Sequence, residues 1–209
     1  MSHSEALAAE QDRVLASAWG GGKSPFAANW GKLMMWLFLI SDALTFVALI
    51  AAYGFMRYVS PRWPAQAEIF DMRLIGFMTF TLISSSAVMA MAVGAARTHN
   101  PKLAVRFLFL TILGGLIFLG CQAYEWSHFI GEGARLWSNP WGVPQFSACF
   151  FVMTGFHGFH VTTGVIFLLV VALRAAAGRY SDEGVEIAGL YWHFIDVVWV
   201  FIFALFYLL

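Results

Sequence analysis

From Leu74 to Ala96 the chain carries no charged side chain, and from Leu136 to Leu173 it again carries none. Runs so long and so apolar have few homes. A helix needs about 20 mostly apolar residues to cross a hydrocarbon core about 30 Å thick, and inside lipid each segment must satisfy its own backbone N–H and C=O groups. Five stretches meet that requirement, at about 32–57, 74–96, 104–129, 146–173 and 187–209. The expected fold class is therefore all-α, an integral membrane bundle of five transmembrane helices. The fourth is expected to begin near Phe146, because Pro140 and Pro144 disfavour an earlier start. Barrel strands would instead alternate every second residue in segments of about 10. Composition agrees, with 60% hydrophobic and 11% charged residues in 209 and a mean hydropathy of +0.73.

The formal net charge is zero and the Lys and Arg residues are scattered, so nucleic-acid binding is set aside. Their distribution sets an orientation. With the N-terminus inside, the inner segments hold Arg13, Lys23, Lys32, Arg97, Lys102, Arg106, Arg174 and Arg179, and the outer ones only Arg57, Arg62, Arg73 and Arg135. The positive-inside rule then places the N-terminus in the cytoplasm and the C-terminus outside. Residues 1–28 include Glu5, Glu10 and Asp12 and no apolar core, so they do not form a cleavable signal peptide. They are expected to be a flexible cytoplasmic tail, with a short amphipathic helix at Ala6–Ala18 and a joint at Gly20–Gly22, ahead of one membrane domain at 29–209. Cys121 and Cys149 lack metal or redox spacing and are expected to be buried, inert thiols.

The two longer outer connections, 58–73 and 130–145, place tryptophan beside proline, which suits rigid turns with aromatic anchors at headgroup level. Small residues at Ser84–Ser86, Gly114–Gly115, Gly120, Gly155, Gly158 and Gly164 allow helices to approach closely.

An ionisable residue in the middle of a spanning helix costs about 2.5–3.5 kcal/mol or more, so each needs a partner or a purpose. The candidates are Asp42, Glu125, His128, His157, His160, His193 and Asp196. Glu125 with His128, His157 with His160, and His193 with Asp196 share one three-residue spacing, which puts each pair on one helical face. Two uses fit that pattern. Glu-x-x-His is the motif of carboxylate-bridged metal bundles, whereas the same residues serve equally as hydrogen-bonding partners between helices. Depth favours the second use. Glu125 and His128 lie near the outer end of the third span and His193 and Asp196 roughly 10 residues into the fifth, more than about 10 Å away along the membrane normal. Asp42 stands alone in Leu39–Phe46, and either proton handling or a structural polar contact would account for it.

These stretches together resemble subunit III of the haem–copper terminal oxidases. Thr154-Gly155-Phe156-His157-Gly158-Phe159-His160-Val161 with Gly164, and Tyr191-Trp192-His193-Phe194-Ile195-Asp196-Val197-Val198-Trp199, look like the two signature stretches of that family. Gln122-Ala123-Tyr124-Glu125 resembles its Gln-x-x-Glu helix end, and Ser41-Asp42 falls where the family usually has Ser-Glu in its carbodiimide-reactive helix. The match covers residues 30–209 in order. Two departures stand out. Many members have seven spans, whereas this chain has five, as do bacterial quinol-oxidase forms and some bacterial cytochrome c oxidase forms. Asp42 is also one methylene shorter than the usual glutamate, which bears on any role that needs the longer reach.

The resemblance implies a non-catalytic accessory subunit in a bacterial cytoplasmic membrane. In such a complex, haem and copper sit in partner subunits. This chain would pack against subunit I, hold structural phospholipids in a cleft, support proton uptake, and meet a lipid phosphate with Arg174. Asp42, Glu125, His157, His160, His193 and Asp196 become intramembrane polar or proton-related groups rather than metal ligands. Two alternatives remain open at this stage: a self-contained membrane metalloenzyme built from the His and carboxylate pairs, and the accessory subunit of a nitric oxide reductase.

Overall fold

The computed structural model describes residues 30–209, so the tail expected at 1–28 lies outside the described residues. By packing, the chain divides into residues 1–38, of which the helical turns Trp30–Phe38 are described, and Leu39–Leu209. In order, the elements are α1 (Trp30–Val59), the short α2 (Gln66–Ile69), α3 (Met72–Arg97), α4 (Pro101–Gly131), α5 (Pro144–Ala176) and α6 (Asp182–Ile202). A π-helical turn, Phe203–Leu208, carries α6 on. All but α2 are long and apolar enough to cross a membrane, which gives the five spans expected.

The helices start earlier than the apolar runs, three of them at polar caps and one at a proline. The Asp71 carboxylate accepts the backbone N–H groups of Arg73 and Leu74 and opens α3. Asn100 accepts from Leu103 N–H at the head of α4, where Pro101 occupies the first turn. Pro144 does the same for α5, which corrects the expected start near Phe146. The missing N–H of a proline costs nothing in a turn whose N–H groups have no partner within the helix. Ser181 accepts from Gly184 N–H, and Asp182 and Glu183 suit the positive helix end, so α6 begins five residues before Ile187. Helix α3 stops where His99 turns left-handed, at φ 52°.

Helices α3 to α6 form a closed four-helix ring, in which α3 packs on α4, α4 on α5, and α6 against both α5 and α3. In lipid such packing rests on close fit and hydrogen bonds rather than on the hydrophobic effect. The small residues supply the fit. A Cβ on Gly115 would lie 2.6 Å from the Trp192 ring and 2.8 Å from Val165, and one on Gly114 would lie 2.6 Å from Ser85 Cβ. Gly120 and Gly158 are different, since nothing lies within 4 Å of such an atom. From Leu39 onward, α1 rests on α5 and α6 through Phe46, which touches Phe156 and Phe194 at 5.0 and 6.4 Å, and through Tyr53 against Phe206 at 4.9 Å.

At one end of the ring, Phe70 sits among Phe129, Phe146, Phe150, Phe206 and Tyr207, with ring centroids 4.6–5.9 Å away. Trp63 and Trp141 turn inward onto Phe146, both at 5.6 Å, and only Trp137 stands out, at 80% exposure. Trp63 and Trp141 are thus half-buried against the aromatic cluster. At the other end, two ion pairs clasp α3 to the start of α6: Arg97 Nε to Glu186 Oε1 at 3.0 Å, and His99 Nδ1 to Asp182 Oδ2 at 2.7 Å. Burial, and then the adjacent Asp182 carboxylate, push the Tyr180 phenol up to about 12.

Candidate functional site

Asp42 lies twelve residues into α1, about 18 Å along its axis. His160 lies sixteen residues into α5, about 24 Å along. Both are buried, and His160 Nε2 stands 3.3 Å from Asp42 Oδ2. The other ring nitrogen decides the chemistry. His160 Nδ1 is 2.9 Å from the Phe156 carbonyl, an oxygen with no proton to give, so Nδ1–H is the donor. Nε2 is left to face the carboxylate. Asp42 and His160 thus face each other near the middle of their helices as a histidine–carboxylate contact.

The surroundings fix this geometry. Phe46, Phe156 and Phe159 stand 5.4, 4.6 and 5.5 Å from the imidazole and form an apolar sleeve. Below it, the hydroxyls of Thr163 and Tyr191 meet at 2.8 Å, and both reach the backbone carbonyl of His160, at 2.9 and 3.3 Å. Helix α6 thereby locks the turn of α5 that aims His160.

The three pairs of common spacing do not converge. His157, on the same helix as His160, is fully buried between Phe118 at 5.6 Å and Trp199 at 5.1 Å. Among the described residues neither of its ring nitrogens has a hydrogen-bond partner. His193 Nδ1 bonds the Ser86 hydroxyl at 2.7 Å, and Asp196 is buried one turn farther along the same helix. Glu125 is buried and accepts through Oε2 from Gln122 Nε2 at 2.9 Å and from the Tyr207 hydroxyl at 3.2 Å. His128 is exposed, 3.8 Å from Glu132. Among the described residues no three His, Cys, Asp or Glu side chains come together as a metal-ligand set. Arg174 lies at the end of α5, where it lines a cavity with Arg179, Ser181 and Gly184.

Several of these partners carry no signal in the sequence. Thr163, Tyr191 and Tyr207 act through contacts between residues 28 to 82 positions apart. Others left a trace. Trp192 donates to Ser85 at 3.2 Å beside the His193–Ser86 bond, so two adjacent polar residues on α6 meet two adjacent serines on α3. Ser85 and Ser86 are thus both part of a packing seam and hydrogen-bonding partners for α6.

Comparison with known proteins gives the family. Residues 7–209 match the family described as cytochrome c oxidase subunit III. Cytochrome c oxidase subunit 3 of Synechocystis sp. is 40% identical over 83% of this chain and 73% of its own length. The protein of the same description in Thermostichus vulcanus is 36% identical over 83% and 84%. A probable quinol oxidase subunit 3 of Staphylococcus aureus is 33% identical over 85% and 88%. With five membrane-type helices and a family match over almost its whole length, the chain belongs to the cytochrome c oxidase subunit III family, a multi-pass accessory subunit that works in complex with the other subunits of a respiratory haem–copper oxidase.

Proposed function

We propose that the chain packs against catalytic subunit I in a bacterial cytoplasmic membrane, N-terminus inside and C-terminus outside, where it holds phospholipid and supports proton uptake. Haem and copper, and the oxidation and oxygen reduction they carry out, belong to its partners. The role is carried by Asp42 and His160. A carboxyl and an imidazole 3.3 Å apart in an apolar sleeve are placed to pass a proton between them. His157, His193 and Asp196 serve to fix the helices around that pair.

Two surfaces support the lipid role. Ala43, Phe46, Val47, Phe194, Val198 and Phe201 are among the residues that line an open apolar cleft of about 370 Å³ between α1 and α6, suited to an acyl chain. At the end of α5, the Arg174 and Arg179 guanidinium groups share a cavity of about 170 Å³ with the start of α6, a setting suited to a phosphate.

The test replaces Asp42 with Asn in the assembled oxidase. Asn keeps the shape but cannot exchange a proton with His160. Steady-state proton uptake should fall several-fold with assembly intact, and unchanged uptake would make Asp42 a structural contact.

A further inference from the structure

Glu125 is a second buried carboxyl, which the Asp42–His160 pair does not use. It lies six residues, about 9 Å, before the end of α4. Its Oε2 accepts from Gln122 and Tyr207, while Oε1 has no hydrogen-bond partner among the described residues. A buried carboxylate oxygen without a partner is costly, and sites of this kind are where ordered water is found. The space for it is present. Glu125 and Phe129 form the buried side of a cavity of about 80 Å³, walled by Ile69 and Leu74 and bordered by the exposed Asp71, Tyr124 and His128. A water takes up about 30 Å³ in the liquid and needs two to four polar partners, so roughly two waters fit.

The wall of the cavity is fixed, and its rim is polar. Asp71 Oδ1 is engaged with the N–H groups of Arg73 and Leu74, which leaves Oδ2 for water. His128 faces Glu132 at 3.8 Å. Behind Glu125, the π-helical turn presents both Phe206 and Tyr207 to the interior, and π turns recur at functional sites. Tyr207 therefore ties down one carboxylate oxygen, and the other remains available.

We propose that this cavity is a hydrated proton-exchange site, in which waters link the Glu125 carboxyl to the aqueous phase at the end of the bundle where α3 begins. A hydronium in the cavity gives a proton to Oε1 and leaves water and a carboxylic acid, and the reverse step returns the proton outward. Asp71, His128, Glu132, Tyr124 and Tyr207 are the titratable groups around that exchange. The subunit thus has two proton-holding carboxyl sites on different helices, with Glu125 served from one end independently of Asp42.

The test follows the carboxyl infrared bands of the purified oxidase complex on transfer from H2O to D2O, the Glu125 bands being those absent from Glu125→Gln. In the wild type they should shift within the mixing time. Leu74→Trp, which fills the cavity, should slow that shift at least tenfold and leave the Asp42 bands alone. An unaltered rate in the filled variant, or bands that never exchange, would overturn the proposal. Should that variant fail to assemble, a high-resolution cryo-EM map of the wild-type complex decides. Water density within hydrogen-bond reach of Glu125 Oε1 supports the site, and a dry cavity overturns it.

Discussion

The indole N–H of Trp199 on α6 donates to the hydroxyl of Thr79 on α3 at 3.0 Å, two turns beyond the point where Trp192 donates to Ser85. With the His193–Ser86 bond beside the Trp192–Ser85 one, the two antiparallel helices are joined at two levels by side-chain hydrogen bonds. Each bond satisfies a polar group that would otherwise be stranded in apolar packing.

Thr79→Val keeps the shape and removes the acceptor, leaving the Trp199 N–H unpaired. Hydrogen bonds between membrane helices are worth about 0.6 kcal/mol on average and up to about 1.7. We expect a loss of that size in thermal unfolding of the subunit within its complex. No loss would show that the indole finds another acceptor.

Gly115→Ala places a methyl group against Trp192 and Val165, both under 3 Å away. Trp192 is not free to move, because it is itself bonded to Ser85. The expected cost is that of overpacking, about 1–3 kcal/mol. Gly120→Ala, facing open space, should be neutral or slightly stabilising through helix propensity. The contrast between the two, read from melting temperatures, tests the packing itself.

His157→Phe should change stability by less than about 1.5 kcal/mol, as a near-isosteric swap within a ring stack. Its neighbours Phe118 and Trp199 hold it as an aromatic plate. Oxidase turnover should be preserved, and a loss of proton uptake in this variant would give the imidazole a role that its packing does not suggest.

His99→Gly should be close to neutral, because glycine adopts the left-handed conformation without strain and the exposed ion pair to Asp182 contributes little. His99→Val should destabilise by about 1–3 kcal/mol, since a β-branched residue is poorly tolerated there. Chemical denaturation of the two variants side by side gives the comparison.

Arg174→Ala should lower the phospholipid retained after detergent purification, with helix content unchanged by circular dichroism. Equal lipid retention would remove Arg174 from the phosphate site.

Much of the architecture was legible because lipid makes severe demands. Apolar runs such as Leu74–Ala96 had one folded solution, and the shared faces of His157 with His160 and of His193 with Asp196 followed from helical spacing alone. Helix starts were less visible, since Pro144 opens its helix in the first turn and Ser181 caps the next one, and both lie outside the apolar pattern. Contacts across the bundle were not visible at all. Nothing periodic links Asp42 to His160, 118 positions away, and the pairing depends on how two helices are rotated against each other. The alignment with Tyr207 was further concealed by the change from α to π geometry just before it.

That change has a consequence for how the end of the chain tolerates length variation. A π turn closes its hydrogen bonds one residue later than an α turn does, so the stretch Phe203–Leu208 accommodates in effect one inserted residue. Deleting a single residue there would let the helix continue as α with the later side chains on nearly their present faces, whereas losing a second would swing each of them by about 100°. Only that second loss would take the phenol away from Glu125. The identity of this segment therefore resides as much in its count of residues as in their kinds.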